Sequence, residues 1–278
     1  MRFLLIKTLL ICCLTIFLSG CETLGINQGS STAEDKYAGY NEAQFHKEAK
    51  EALREERYQK AVELYEALEA RYPFGNYSAQ TQLDLAYGYY KNGDAEASLA
   101  ATERFIKINP RNPSIDYAYY LKGLVSYNRS IGLMDRFLPT DSSQRDVNGA
   151  QEAYHVYQEL IRRFPNSKYV PDVKQRMIAL KNNIAMHEIH VANYYFKRKA
   201  YVAAISRCNL ILKDYQRTPA IPYALQLMEE AYTELGLTNL AKDAKQVFTT
   251  NYPKGVPELQ DSKKSFVYDV WDFIGFDE

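Results

Sequence analysis

The stretch His187-Glu188-Ile189-His190 contains the residue types found in zinc hydrolase sites. In the zincin motif two histidines lie four residues apart on one helix face, so that both imidazoles reach the metal while a glutamate acts as general base. In this sequence the histidines are three residues apart, and the glutamate stands differently between them. The pattern is typical of a chance pair on a helix surface, and we expect no metal site.

Other catalytic signatures are also missing from the sequence. It contains no G-x-S-x-G elbow, no phosphate-binding loop, no dinucleotide-binding glycine fingerprint and no Cys/His spacing for a metal. The 34 basic and 34 acidic residues balance, and there is no basic run, so nucleic acid is not expected as a partner. We expect a protein that is not an enzyme and that needs no cofactor.

A cysteine near the N-terminus has a predicted chemical role. Two positive charges precede a short apolar run, and Leu18-Ser19-Gly20-Cys21 at its end is similar to the bacterial lipobox. The pattern predicts a signal peptide over residues 1–20 and lipidation of Cys21, whose acyl chains would hold the protein on a membrane. Glu22, in place of an aspartate, favours delivery to the outer membrane.

Cysteine usage also bears on the fold. After removal of the signal peptide, Cys21 and Cys208 are the cysteines that remain in the sequence, and Cys21 carries lipid. No intrachain disulfide can then form. Cys208 is expected to be a small, packed hydrophobe.

A small residue followed twelve positions later, in four of five cases, by proline recurs along the chain. The pairs are Ala61 and Pro73, Ser98 and Pro110, Ala153 and Pro165, Ala204 and Gln216, and Ala241 and Pro253. In the tetratricopeptide-like (TPR) pattern a small residue lets two helices approach closely, and proline ends the second helix. The predicted fold is all-α, an α-solenoid of about five TPR-like helix-turn-helix repeats.

The spacing of these markers predicts the domain organisation. Repeat three is lengthened by an insertion at about 132–149, and repeat four begins with a long helix from about Pro171 to Lys199. The predicted segments are a signal peptide (1–20), a flexible tether (21–41), N-terminal repeats one to three (42–167), C-terminal repeats four and five (168–253) and a tail with an amphipathic helix (254–278).

Two segments carry apolar groups outside the repeats. Apolar side chains of the insertion, such as Phe137, either fold back onto the solenoid or present a surface to a partner. In the tail, Val267, Val270, Trp271 and Ile274 lie on one face of a predicted helix. This helix either caps the end of the repeat array or docks onto another protein, and the sequence leaves both alternatives open.

Several longer strings resemble the BamD family of outer-membrane assembly factors, also called ComL. The resemblance extends from the lipobox to Pro253. The strings are Arg71-Tyr72-Pro73-Phe74-Gly75, Gln82-Leu83-Asp84-Leu85-Ala86-Tyr87, Tyr89-Tyr90-Lys91-Asn92-Gly93, Asp116-Tyr117-Ala118-Tyr119-Tyr120-Leu121-Lys122-Gly123-Leu124, Arg163-Phe164-Pro165-Asn166-Ser167, Tyr201-Val202-Ala203-Ala204 and Met228-Glu229-Glu230-Ala231-Tyr232.

The resemblance implies a periplasm-facing outer-membrane lipoprotein of the β-barrel assembly machinery. Such proteins bind the periplasmic domains of BamA, associate with other lipoproteins of the machinery and help admit unfolded outer-membrane proteins. In that family the C-terminal repeats face BamA, and the position that matches the family's arginine on the second helix of repeat four is Arg207. The N-terminal repeats take part in substrate recognition, which implicates Tyr119, Tyr120 and the turn from Phe74 to Tyr77. Trp271 of the tail is also a predicted partner-binding residue.

Two alternatives to this function stay open at the level of sequence. One is a different TPR lipoprotein scaffold, for pilus assembly or cell-wall coordination. The other is a periplasmic hydrolase, for which the sequence offers no catalytic motif.

Overall fold

The computed structural model of the protein describes residues 36–129, 143 and 146–256, and the regular secondary structure of this part is α-helical throughout. Ahead of the first helix, the Tyr40 amide donates to the Tyr37 carbonyl at 2.9 Å in a short turn. Ten helices follow in the described part: α1 (Glu42–Arg54), α2 (Tyr58–Arg71), α3 (Ser78–Asn92), α4 (Ala95–Ile108), α5 (Ile115–Arg129), α6 (Asn148–Arg163), α7 (Val170–Lys197), α8 (Tyr201–Asp214), α9 (Ala220–Glu234) and α10 (Thr238–Asn251).

Each helix packs against the next one along the chain, from α1 through α10. Short connections between sequence neighbours produce antiparallel packing, so the helices form five pairs that repeat along the stack. An all-α array of five TPR-like repeats is therefore confirmed for residues 42–251. The predictions on Cys21, on Trp271 and on the apolar part of the insertion lie outside the described residues.

Four of the turns within the pairs use a residue in the left-handed conformation. Gly93 has φ +88° and Gly236 has φ +71°, while Glu56 and Lys199 both have φ +59° at the corresponding positions. The amide of the following residue then donates to a carbonyl five residues earlier, as in Asp94 to Tyr89 at 2.9 Å. This is the Schellman-type ending, which glycine adopts without steric cost.

The turns between pairs share a second geometry. The residue after the helix donates its amide to the carbonyl four residues earlier, as from Tyr72 to Leu68 and from Phe164 to Leu160, both at 2.8 Å. A second bond then closes the turn, from Gly75 to the Tyr72 carbonyl at 3.1 Å in the first repeat. After α8, where Gln216 stands in place of proline, the Thr218 hydroxyl donates to the Tyr215 carbonyl at 2.7 Å.

The small residues that mark the repeats lie in the core. Ala61, Ser98, Ala153 and Ala204 are fully buried, and Cys208 is buried one turn after Ala204, as expected. Large side chains fill the space beside them: Tyr65, Tyr157, Phe45 and Phe105. The marker residues therefore set the helix spacing that the aromatic groups complete.

Helix α7 belongs to two parts of the core. Its N-terminal half places Val173 and Leu180 in a cluster with α5 and α6, and its C-terminal half places Ile189 and Ala192 in a cluster with α8 and α9. Pro171 lies in its first turn, where its missing amide hydrogen costs no helical bond. One continuous helix thus supports both the third and the fourth pair.

Candidate functional site: aromatic contact surfaces

The turn from Phe74 to Tyr77 presents an exposed aromatic ring on a fixed backbone. Phe74 is 97% exposed. The Tyr77 amide donates to Oε1 of Glu42 at 2.9 Å, and the Tyr77 ring stacks on His46 of α1 with a centroid distance of 4.3 Å. Gly75 leaves room for the Glu42 carboxylate, which a Cβ would displace. The turn is therefore held against α1 while Phe74 remains available for contact.

Tyr119 does not lie on an exposed contact surface. It is buried in the cluster of α5 and α6, with its ring 5.6 Å from that of Phe164. Arg163 lies over the Tyr119 ring and donates to its hydroxyl. In the structure, Tyr119 positions Arg163 and Phe164 at the end of α6.

Tyr120, the next residue, belongs to a polar and aromatic cluster that connects α5 with α7. Its ring stacks on Tyr169 at 4.6 Å, and its hydroxyl donates to Oδ2 of Asp172 at 2.9 Å. The same Asp172 oxygen accepts from Nε of Arg176 at 2.6 Å. Burial raises the pKa of Asp172, but the hydrogen bonds from Arg176 and Tyr120 outweigh that effect, and the net result is a lowered pKa. Burial and the bond to Asp172 raise the pKa of Tyr120.

A cavity of about 220 Å³ adjoins this cluster. Tyr157 of α6 contributes a fully buried ring whose hydroxyl has no hydrogen-bond partner among the described residues. Burial raises the pKa of this hydroxyl. The side chains that line the cavity are Tyr127, Tyr157, Arg176, Ala179, Leu180 and Asn183. It combines an aromatic and aliphatic wall with a few polar groups, the composition of sites that bind side chains or small apolar ligands.

The sequence analysis did not predict this cavity. One signal for it was Gly123, because a Cβ at this position would collide with the ring of Tyr157. The close approach of α5 to α6 depends on that glycine and sets the position of Tyr157 beside the cavity. A glycine in the middle of a helix indicates such close approach, but it does not indicate which ring fills the space.

Arg207 of α8 forms an ion pair inside the repeat array. Its Nη1 lies 3.2 Å from Oε2 of Glu188 on α7. The side chain of Glu188 is only 9% exposed, whereas that of Arg207 is 41% exposed. The guanidinium therefore compensates a buried carboxylate and still has surface in contact with solvent.

The predicted partner-binding residues that the structure describes thus fall into three places. Phe74 and Tyr77 lie on the turn after α2, Tyr119 and Tyr120 lie on α5 against the turn after α6, and Arg207 lies on α8. Both turns connect successive pairs, so they lie at the same edge of the stack, two repeats apart. The structure does not bring the three places together into one site.

Among the described residues, three side chains that could act as nucleophiles or metal ligands, His187, His190 and Cys208, have structural roles. His187 and His190 contact the carbonyl and the hydroxyl of Ser143, each at 2.9 Å. Burial raises the pKa of the Cys208 thiol to about 12. The described part of the chain contains no group of three or more His, Cys, Asp or Glu side chains placed to hold a metal ion. In that part no helix has both the length and the apolar character that a membrane crossing requires.

Five stacked helix pairs with exposed aromatic and charged contact points define a helical-repeat protein of the TPR-like class. The sequence model of the YfiO family, described as "Outer membrane lipoprotein", matches residues 39–247. The chain belongs to this family, which is the BamD family that the sequence strings resemble.

Curated relatives match along nearly the whole chain. The chain is 40% identical over 249 residues to the outer membrane protein assembly factor BamD of Neisseria meningitidis serogroup A, which covers 89% of this chain and 92% of the relative. It is 38% identical over 234 residues to BamD of Vibrio cholerae, covering 84% and 97%. It is 34% identical over 231 residues to BamD of Haemophilus influenzae, covering 83% and 87%.

Proposed function

We propose that the protein is a noncatalytic, periplasm-facing lipoprotein subunit of the β-barrel assembly machinery at the outer membrane. In this role it binds the periplasmic domains of BamA and associates with other lipoproteins of the machinery. It also contacts unfolded outer-membrane proteins before they insert. The observation that carries the proposal is the near full-length likeness to proteins named as outer membrane protein assembly factor BamD.

The first three repeats have the properties that binding of an unfolded chain needs. Unfolded barrel strands expose alternating apolar and aromatic side chains, and an aromatic surface binds such chains without demanding one sequence. The exposed ring of Phe74 supplies one apolar contact point on the first repeat, and the cavity beside Tyr157 supplies another where the third repeat meets α7 of the fourth.

Arg207 is the proposed contact to BamA on the C-terminal repeats. Its exposed fraction leaves part of the guanidinium free to meet an acidic group on a partner, while Nη1 stays on Glu188. An arginine in this position is pre-organised, because the existing ion pair already restricts its rotamers.

Site-specific crosslinking tests the substrate part of the proposal. A photoreactive residue replaces Phe74 in one variant and Ile178, an exposed apolar residue of α7, in a matched control. During synthesis of an outer-membrane protein we expect a crosslink to the nascent barrel from position 74 and little or none from position 178. Equal crosslinking from both positions, or co-purification of the chain with pilus secretins in place of BamA, would contradict the proposal.

A further inference from the structure

The outer face of α10 is apolar and exposed. Leu237, Leu240 and Val247 are 45, 44 and 47% exposed, whereas Ala241 and Ala244 are buried where α10 packs against α9. At 3.6 residues per turn these five residues form one continuous stripe, of which α9 covers one side. A helix at the end of a repeat array has to cover such a stripe or carry polar groups on it, and α10 carries one charged residue there, Asp243, between Leu240 and Val247.

The chain leaves α10 by the turn that elsewhere leads to another repeat. The Tyr252 amide donates to the Phe248 carbonyl at 2.8 Å, and the Gly255 amide donates to the Tyr252 carbonyl at 2.9 Å. The same two bonds follow α2, α4 and α6, and in all three cases six residues separate that helix from the next one. Counted in the same way from Asn251, another helix would begin at Glu258. Pro257 would then be its N-cap, as Pro219 is the N-cap of α9.

The sequence after this turn carries apolar side chains that match the exposed stripe in position. Two antiparallel helices rise by the same 1.5 Å per residue. Each residue after Glu258 would therefore lie opposite the residue that is the same number of positions before Asn251. Leu259 then lies opposite Thr250, near the Val247 end of α10, and Val270 lies opposite Asn239, beside Leu240.

We propose that residues 258–278 form a further helix that packs antiparallel on α10 and covers Leu237, Leu240 and Val247. The chain's own C-terminal segment covers the stripe, and the turn after α10 directs this segment back along α10. This inference does not rest on the proposed function, because it concerns how the isolated chain ends its repeat array.

Trp271 is the single tryptophan of the sequence and lies within this segment, so its fluorescence reports on the contact. Acrylamide quenching is measured on the purified full chain in detergent, for the wild type and for two matched variants. Leu240→Asp places a charge in the stripe, and Val202→Asp places one on α8 at a residue that is 71% exposed. We expect Leu240→Asp to increase quenching several-fold and Val202→Asp to leave it unchanged. Equal quenching in Leu240→Asp and wild type would overturn the proposal.

A disulfide pair identifies the occupant. Leu240→Cys and Val270→Cys are combined and oxidised, with Val202→Cys and Val270→Cys as the control pair. The native Cys208 does not compete, because it is buried and its thiol has a raised pKa. We expect an intramolecular link, at the mass of one chain, in the first pair alone. A link between two chains would assign the stripe to a second copy, and absence of any link in the isolated chain would assign it to another protein. Either result would overturn the proposal.

Discussion

At the scale of single residues, Arg207 shows how an internal contact constrains a surface role. The sequence predicts a partner-binding arginine at this position, and the structure adds its bond to the buried carboxylate of Glu188 at 3.2 Å. Loss of the guanidinium would leave a buried carboxylate without its counter-charge. A substitution of Arg207 alone therefore changes both the stability of the fold and the proposed contact surface. The two effects separate only when Glu188 is changed as well.

We predict that Arg207→Glu lowers the free energy of unfolding by about 2 kcal/mol, because it sets two carboxylates against each other at a partly exposed position. Arg207→Gln combined with Glu188→Gln removes both charges and should unfold in urea close to wild type. If Arg207 contacts BamA, this neutral pair still loses BamA in co-purification. Wild-type urea stability of Arg207→Glu would show that the ion pair contributes nothing.

A second prediction at the same scale concerns Asp172 and pH. The folded-state pKa of Asp172 is lowered, so its contribution to stability is present above its unfolded pKa of about 3.9 and is lost as the pH falls through the folded value. We expect Asp172→Asn to cost about 0.5 kcal/mol at pH 7, a small value because the carboxylate is half exposed.

Urea unfolding of both proteins at pH 7 and at pH 3 and below measures this difference. The wild type and Asp172→Asn should converge in the acidic range. A difference that stays constant with pH would mean that the contribution of Asp172 does not depend on its charge.

At the scale of elements, the turns determine how one helix leads to the next. Asn92–Gly93 and Leu235–Gly236 were predictable as turns, since glycine adopts a positive φ without cost. Glu56 and Lys199 adopt the same backbone conformation with a side chain, and no sequence signal distinguishes these positions from helix. The predicted long helix extends to about Lys199, whereas α7 ends at Lys197 and Lys199 lies in the turn.

We predict opposite effects of glycine exchange at two equivalent turns. Gly93→Ala should destabilise the protein by about 1 kcal/mol, because alanine is strained at a φ of +88°. Lys199→Gly should stabilise it by roughly 0.5 kcal/mol, since it relieves the strain but increases the freedom of the unfolded chain. Thermal unfolding followed by circular dichroism measures both. Effects of the same sign would contradict this explanation of the turns.

At the scale of the whole molecule, the described part of the chain is a repeat array that carries several contact surfaces. Phe74 lies on the first repeat, the cavity beside Tyr157 lies between the third repeat and α7 of the fourth, and Arg207 lies on α8, so Phe74 and Arg207 offer partners separate surfaces. Such an arrangement suits a protein that binds a membrane component and a substrate at the same time. The proposed lipid anchor at Cys21 would tether the repeat array to the membrane.

We predict that Cys21→Ala releases the protein from the outer membrane, because the acyl chains supply about 0.8 kcal/mol per buried CH₂ and polar contacts alone are weaker. Fractionation of cells into soluble and membrane material measures the release. Cys208→Ala serves as the control, since that cysteine is buried. Membrane retention of Cys21→Ala after a high-salt wash would mean that partners, and not lipid, hold the protein.

The sequence by itself determined the helical repeats, because the spacing of small residues and helix-ending residues such as Ala61 and Pro73 follows directly from helix geometry. It also determined the family, through strings that lie in the core and the turns. Only the tertiary structure decided what each candidate residue touches. It placed Tyr119 in the core and set Glu188 against Arg207. The reason is physical: periodicity specifies which face of a helix is buried, whereas the partner on that face depends on how neighbouring helices pack.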